Sequence, residues 1–194
     1  MPAWCAGLQE SEESSTQRWR EDDFARFGKL NVIASVQPYH CADDGSWAVR
    51  KIGRRREGNS FAFRRFLDNG VSLAFGTDWP VAPLDPLQGI HAAVTRATTD
   101  GMSRGGWVPE QKITLEEALR AYTHGSAYAS FSEMEKGTLE TGKLADIAVL
   151  SRNPFEVPPA ELGNIKVVMT VVGGKIVYAD EHLFEMEHDG FAGA

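Results

Sequence analysis

Two short β-rich runs constrain this chain more than any other feature. Val32-Ile33-Ala34-Ser35-Val36-Gln37 is stopped by Pro38, and Val71-Ser72-Leu73-Ala74-Phe75 runs directly into Gly76-Thr77-Asp78-Trp79-Pro80. Between them lies a helix signal: an amphipathic face of Phe63, Phe66 and Leu67 opened at Ser60 and stopped by Asn69-Gly70. A hairpin needs only a tight turn, whereas strands this far apart with an intervening helix are best joined as a parallel β–α–β unit.

The flanking segments extend that pattern. Phe24 and Phe27 predict a short helix from Glu21 to near Gly28, and Tyr39 to about Asn59 reads as a long polar loop. Leu87, Ile90, Val94 and Ala97 form the apolar stripe of a helix over 85–98. Gly101 to Pro109 is a glycine-rich loop. Thr114-Leu115-Glu116-Glu117 is a capping box, opening a helix that carries Leu115, Leu119 and Tyr122 and ends near Gly125. Beyond Glu133 the pattern turns to strands, at 145–150, 165–172 and 175–179, the last two joined by Gly173-Gly174, a pair suited to a primed hairpin turn. Alternating β and α segments followed by an all-β stretch define two units. The division expected is a polar tail over 1–20, an α/β unit over 21–132, β-domain strands over 133–180 and a second tail over 181–194.

The net charge of −7 argues against nucleic acid or an anionic membrane as partner, because phosphate binding needs excess Lys and Arg. The local run from Arg50 to Arg56 suits a substrate carboxylate or phosphate, or a plain solvated loop face. Two cysteines, Cys5 and Cys41, make neither a disulfide framework nor a cysteine-rich zinc site and fit a reducing compartment. No apolar stretch approaches the roughly 20 residues that span a bilayer, and no signal-like start is seen, so a cytoplasmic protein is expected.

Asp78 is the most informative position. Ligands gather at the carboxyl ends of parallel strands, where loops present functional groups from a rigid base. An aspartate directly after Gly76-Thr77 suits metal ligation or general-base work, and equally a turn or helix cap. His40 follows the earlier strand and suits either a substrate-facing role or a local hydrogen bond. Trp79 and Trp107 suit a pocket wall or the core. His91 reads as a packed helix residue, His124 as a helix-end dipole partner, and His182 and His188 as tail.

The run Ala74-Phe75-Gly76-Thr77-Asp78-Trp79-Pro80-Val81-Ala82-Pro83-Leu84 resembles the eighth barrel strand of the amidohydrolase superfamily, in the family 3 branch that includes N-substituted formamide deformylases. Val32 through His40, Gly106 through Tyr122, Gly137 through Leu150 and the closing Val-Val-Gly-Gly-Lys-Ile-Val-Tyr hairpin match in order, over roughly residues 21 to 180. The resemblance implies an α/β fold: the C-terminal part of a metal-dependent hydrolase TIM (β/α)8 barrel plus the C-terminal strands of a small, composite β-sandwich domain. It implies hydrolysis of a non-peptide C–N bond in a small amide- or formamide-like substrate, a divalent metal expected to be zinc, Asp78 as metal ligand and catalytic proton carrier, and His40 and Trp79 toward the substrate.

The resemblance also requires ligands that are absent. No His-x-His pair occurs, and no histidine precedes His40. A catalytic zinc takes three protein ligands plus water, so Asp78 alone does not hold one. The expectation is a truncated chain, inactive by itself, with a homo-oligomer or a complementing chain as partner. The competing expectation is a non-catalytic fragment or interaction module.

Overall fold

The computed structural model describes Cys5–Ala6 and residues 19–180. Within residues 1–20, Cys5–Ala6 form strand β1, which a polar composition does not announce because two residues carry no periodicity. The rest of that predicted tail up to residue 18, and the tail over 181–194 with His182 and His188, lie outside the described residues.

Helix α1 (Glu21–Lys29) carries Glu21, Asp22 and Asp23 in its first turn and Arg26 and Lys29 in its last, matching the helix dipole at both ends. It buries Phe24 and leads into β2 (Ile33–Val36). The predicted loop over 39–59 is instead three short helices, α2 (Tyr39–Asp44), α3 (Ala48–Ile52) and α4 (Arg54–Glu57). Each is too short for an apolar stripe to show; α2 buries Cys41, Ala42 and Asp44, α3 buries Ala48 and Ile52, and α4 buries none of its residues. The basic run therefore lies on exposed helical turns rather than on a loop.

Helix α5 (Phe63–Asp68) delivers the chain to β3 (Leu73–Phe75). The sheet order is β1-β2-β3, all parallel, with Val36 opposite Phe75. The β–α–β expectation thus holds, with one strand more than the sequence pattern shows. Helix α6 (Pro86–Thr95) starts with Pro86 at its first position and the Asp85 carboxylate accepting from the Leu87 amide at 2.9 Å. Arg96 ends it in the left-handed region at φ 59°.

Arg96 is fully buried and ties three segments together. Its Nε donates to Trp107 O at 2.9 Å and its Nη1 to Phe61 O at 2.8 Å, while the guanidinium lies over the Phe63 and Trp107 rings. Trp107 is accordingly a core residue. An aromatic core continues from it: Phe24 meets Phe66 edge-to-face at 5.0 Å, and Phe75 lies between Phe63, tilted, and Tyr122, edge-to-face, at 5.4 Å from each.

The capping box at Thr114 and Glu117 is formed, and α7 (Leu115–Arg120) continues through a π-helical turn (Ala121–Gly125) into α8 (Ser126–Ala129). The helix therefore passes the predicted stop at Gly125. Gly125 lies so close to Leu73 O that a Cβ would sit 2.1 Å from it, and the Ser126 hydroxyl donates to Phe75 O at 2.8 Å. A glycine here serves close approach to the strand rather than helix termination.

A second sheet, β4 (Ile147–Leu150), β5 (Val167–Val172) and β6 (Lys175–Ala179), is antiparallel in the order β4-β5-β6. Gly173 and Gly174 turn the hairpin with φ of 55° and 77°, as a primed turn requires. Among the described residues no helix is long and apolar enough to cross a membrane.

Candidate active site

The parallel register decides which side chains meet. With Val36 opposite Phe75, the segments that leave β2 and β3 emerge at the same, carboxyl end of the sheet. Three residues beyond Phe75 comes Asp78; four beyond Val36 comes His40, in the first turn of α2. Their side chains touch: His40 Nε2 lies 3.0 Å from Asp78 Oδ2, with both groups partly buried. With its hydrogen on Nε2, the imidazole donates to the carboxylate and fixes one of its two oxygens.

Backbone geometry aims Asp78 at this position. Its φ of 64° is left-handed, a conformation that aspartate tolerates better than most residues and that concentrates at functional sites. Its carbonyl accepts from the Val81 and Ala82 amides at 2.8 and 3.1 Å, so the following turn is anchored on Asp78 itself. Trp79 is 63% exposed beside it, and Val81 and Leu84 in the same loop are exposed as well. Trp79 is therefore not core; it forms an apolar rim next to the carboxylate.

One residue of this region is invisible in the sequence. Asp44 lies one helical turn beyond His40 in α2, and only 4% of it is exposed. Its Oδ2 is buried with no hydrogen-bond partner among the described residues. Burial pushes its carboxyl up to about 6, with His40 pulling it down and neighbouring Asp43 adding to the rise. The i, i+4 relation to His40 exists only once residues 39–44 are known to be helical.

The other described histidines, His91 and His124, lie on other elements. His91 is half-buried in α6, where desolvation holds its imidazole below the usual range. His124 lies within the helical run rather than at its end and stacks on Tyr128. Among the described residues no three His, Cys, Asp or Glu side chains gather closely enough to hold a metal ion. The donors present, a carboxylate and an imidazole bonded to each other, therefore do not complete a catalytic metal centre.

Residues 3–178 match the amidohydrolase family. The LONG AFTER FAR-RED 3 protein of Arabidopsis thaliana is 38% identical over 154 residues, which are 79% of this chain and 26% of that protein. The N-substituted formamide deformylase of Arthrobacter pascens is 36% identical over 118 residues, 61% of this chain and 21% of the deformylase. Among solved structures, a metal-dependent hydrolase of Pyrococcus horikoshii superposes with a TM-score of 0.66 at 32% identity, over 73% of this chain and 29% of the hydrolase. The chain thus spans about a quarter of the length of the relatives it matches.

Proposed function

This chain belongs to the amidohydrolase family, and from that premise we propose that it supplies the Asp78–His40 portion of a metal-dependent hydrolase acting on non-peptide C–N bonds of small amide-like substrates. The observation that carries the reading is the 3.0 Å contact between two side chains from separate strand ends, 38 residues apart in sequence. A turn or cap aspartate needs no such partner. The family match over residues 3–178 and the likeness to a metal-dependent hydrolase support the same assignment.

In this reading the Asp78 carboxylate takes the proton of the attacking water. The His40 N–H holds Oδ2, leaving the other oxygen toward the incoming group. Trp79 offers an exposed apolar face to the substituent on the substrate nitrogen. Asp78 also contributes one carboxylate ligand to a divalent-metal centre, expected to be zinc, whose remaining ligands come from polypeptide outside the described residues. A carboxylate and an imidazole are chemically suited to such a centre but too few to hold it.

A graft tests this. The 118-residue segment of the Arthrobacter pascens deformylase that this chain matches is exchanged for the corresponding residues of this chain. The graft is expected to bind metal and release formate from an N-substituted formamide. Asp78→Asn in the graft is expected to reduce turnover about 10²–10⁴-fold, the range for losing a positioned proton acceptor. A folded, metal-bound graft that keeps full turnover with Asn at position 78 overturns the assignment, and a folded graft that binds no metal overturns the shared-site reading.

A further inference from the structure

Arg50, Lys51, Arg54, Arg55 and Arg56 are five of the chain's 20 Lys and Arg residues, gathered into seven positions that hold none of its 27 Asp and Glu. The proposed site uses none of them. They lie on the connection that leaves β2 and returns through α5 to β3, so both ends of the segment are fixed in the described sheet. Ala48 and Ile52 bury one side of α3, and Gly53, at φ 74°, turns the chain out of α3 and into α4. All five cationic residues are exposed, and α4 buries no residue at all.

The fold does not need these charges. Arg26, Arg64, Arg65, Lys143 and Arg152 are each held in an ion pair, whereas none of the five is paired among the described residues. Arg50 acts on Asp100 without pairing with it, adding to the lowering of that carboxyl after the Thr98 hydroxyl and the Met102 amide. Glu57, the acid that ends α4, turns to the Trp107 indole, which donates to its Oε2 at 3.4 Å. Like charges side by side repel, and a surface kept only for solubility intersperses both signs. The ridge therefore suits an anion from outside.

Size selects the kind of anion. One substrate carboxylate is satisfied by one guanidinium fork, so five cations exceed what a small substrate needs. Together α3 and α4 extend about 15 Å, the reach of about four residues of extended chain. A nucleic-acid backbone continues past that length and meets the acidic remainder of a chain whose net charge is −7 even with this ridge. Four arginines against one lysine suit carboxylates, which a guanidinium grips through two parallel hydrogen bonds.

We propose that the α3–α4 ridge is a docking surface for an acidic segment of a partner polypeptide, about four residues long, whose consecutive carboxylates are received by Lys51, Arg54, Arg55 and Arg56. Neither Asp78 nor His40 takes part, so this surface and the hydrolase reading stand or fall separately.

The test uses the intact chain, with a capped peptide of four consecutive glutamates as probe and the matching glutamine peptide as control, read by fluorescence anisotropy. The glutamate peptide is expected to bind about tenfold more tightly than the control, and to lose about tenfold in affinity when salt rises from about 0.05 to about 0.3 M, because salt screens exposed charges. Arg54→Glu/Arg55→Glu/Arg56→Glu, on a helix that buries nothing, is expected to weaken binding about tenfold or more with an unchanged unfolding midpoint. Arg54→Gln/Arg56→Gln removes charge without reversing it and is expected to weaken binding about threefold. Lys175→Glu, at an exposed cation of β6, is expected to leave binding within about twofold. No preference for the glutamate peptide, binding undiminished by both arginine variants, or an equal loss from Lys175→Glu overturns the proposal. Tighter binding of a single-stranded RNA oligonucleotide with four phosphates overturns it as well, by assigning the ridge to nucleic acid.

Discussion

The two sheets have three strands each and opposite surroundings. In the parallel sheet every residue of β3 is buried, as are Ile33, Ala34 and Val36 of β2, because helices cover it. In the antiparallel sheet all five residues of β6 are exposed, with Ile176, Val177 and Tyr178 presenting apolar side chains to solvent on both faces. Parallel strands read as continuous apolar runs because both faces are covered, while an antiparallel sheet can leave a face open. The difference separates two tasks. The covered sheet is a rigid base whose strand ends hold Asp78 and His40 in register. The uncovered sheet instead exposes the whole of β6, and among the described residues β4 pairs only with β5.

The largest expected effect that sharpens this comparison is on the covered sheet. Phe75→Ala removes a ring packed between Phe63 and Tyr122 and is expected to cost about 3–5 kcal/mol in urea-unfolding stability. A loss below about 1 kcal/mol would mean that the helical cover is absent in solution, where surface substitutions cost that little.

Next comes a gain in the same region. A carboxyl whose folded value is raised favours its neutral form in the fold. Asp44 therefore costs nothing below its ordinary 3.8, and stability is lost as pH rises through about 6. At about 1.36 kcal/mol per unit, the penalty above that pH is at most about 3 kcal/mol. Asp44→Asn is expected to raise the unfolding midpoint at pH 8, to leave it nearly unchanged at pH 3.5, and to flatten the profile between. An unchanged midpoint at pH 8 would show that the carboxylate has a partner in solution.

The smallest expected effect is on the uncovered sheet. Ile176→Ala makes the same kind of truncation at a residue 63% exposed and is expected to cost about 0.5 kcal/mol or less. A loss of several kcal/mol that grows with protein concentration would break the comparison, because it would mean that β6 is covered by association.

Much of the architecture was legible from local pattern. The runs at 32–37 and 71–75, the capping box at Thr114 and the diglycine hairpin each carry their signal in adjacent residues, and each appears where expected. What failed were elements without periodicity. Cys5–Ala6 is recruited to the sheet by pairing with Ile33 and Ala34, and α2 to α4 are too short to form a stripe. The helix end at Gly125 was misplaced because a glycine that permits contact with Leu73 O looks, in sequence, like one that stops a helix. Of the site, Asp78 was legible from its place after a strand, and His40 and Trp79 only as residues with two open readings.

The sequence by itself determined the family and the parallel β–α–β unit and singled out Asp78 as a candidate, because these rest on short contiguous runs whose chemistry is local. It also shows that no His-x-His pair occurs within these 194 residues. Tertiary structure alone decided that His40 meets Asp78, that Asp44 lies buried one turn away with its Oδ2 unpartnered among the described residues, and that Trp79 is a rim rather than core. Contacts across 38 residues depend on register and on which faces are covered, and neither is written in any single stretch of chain.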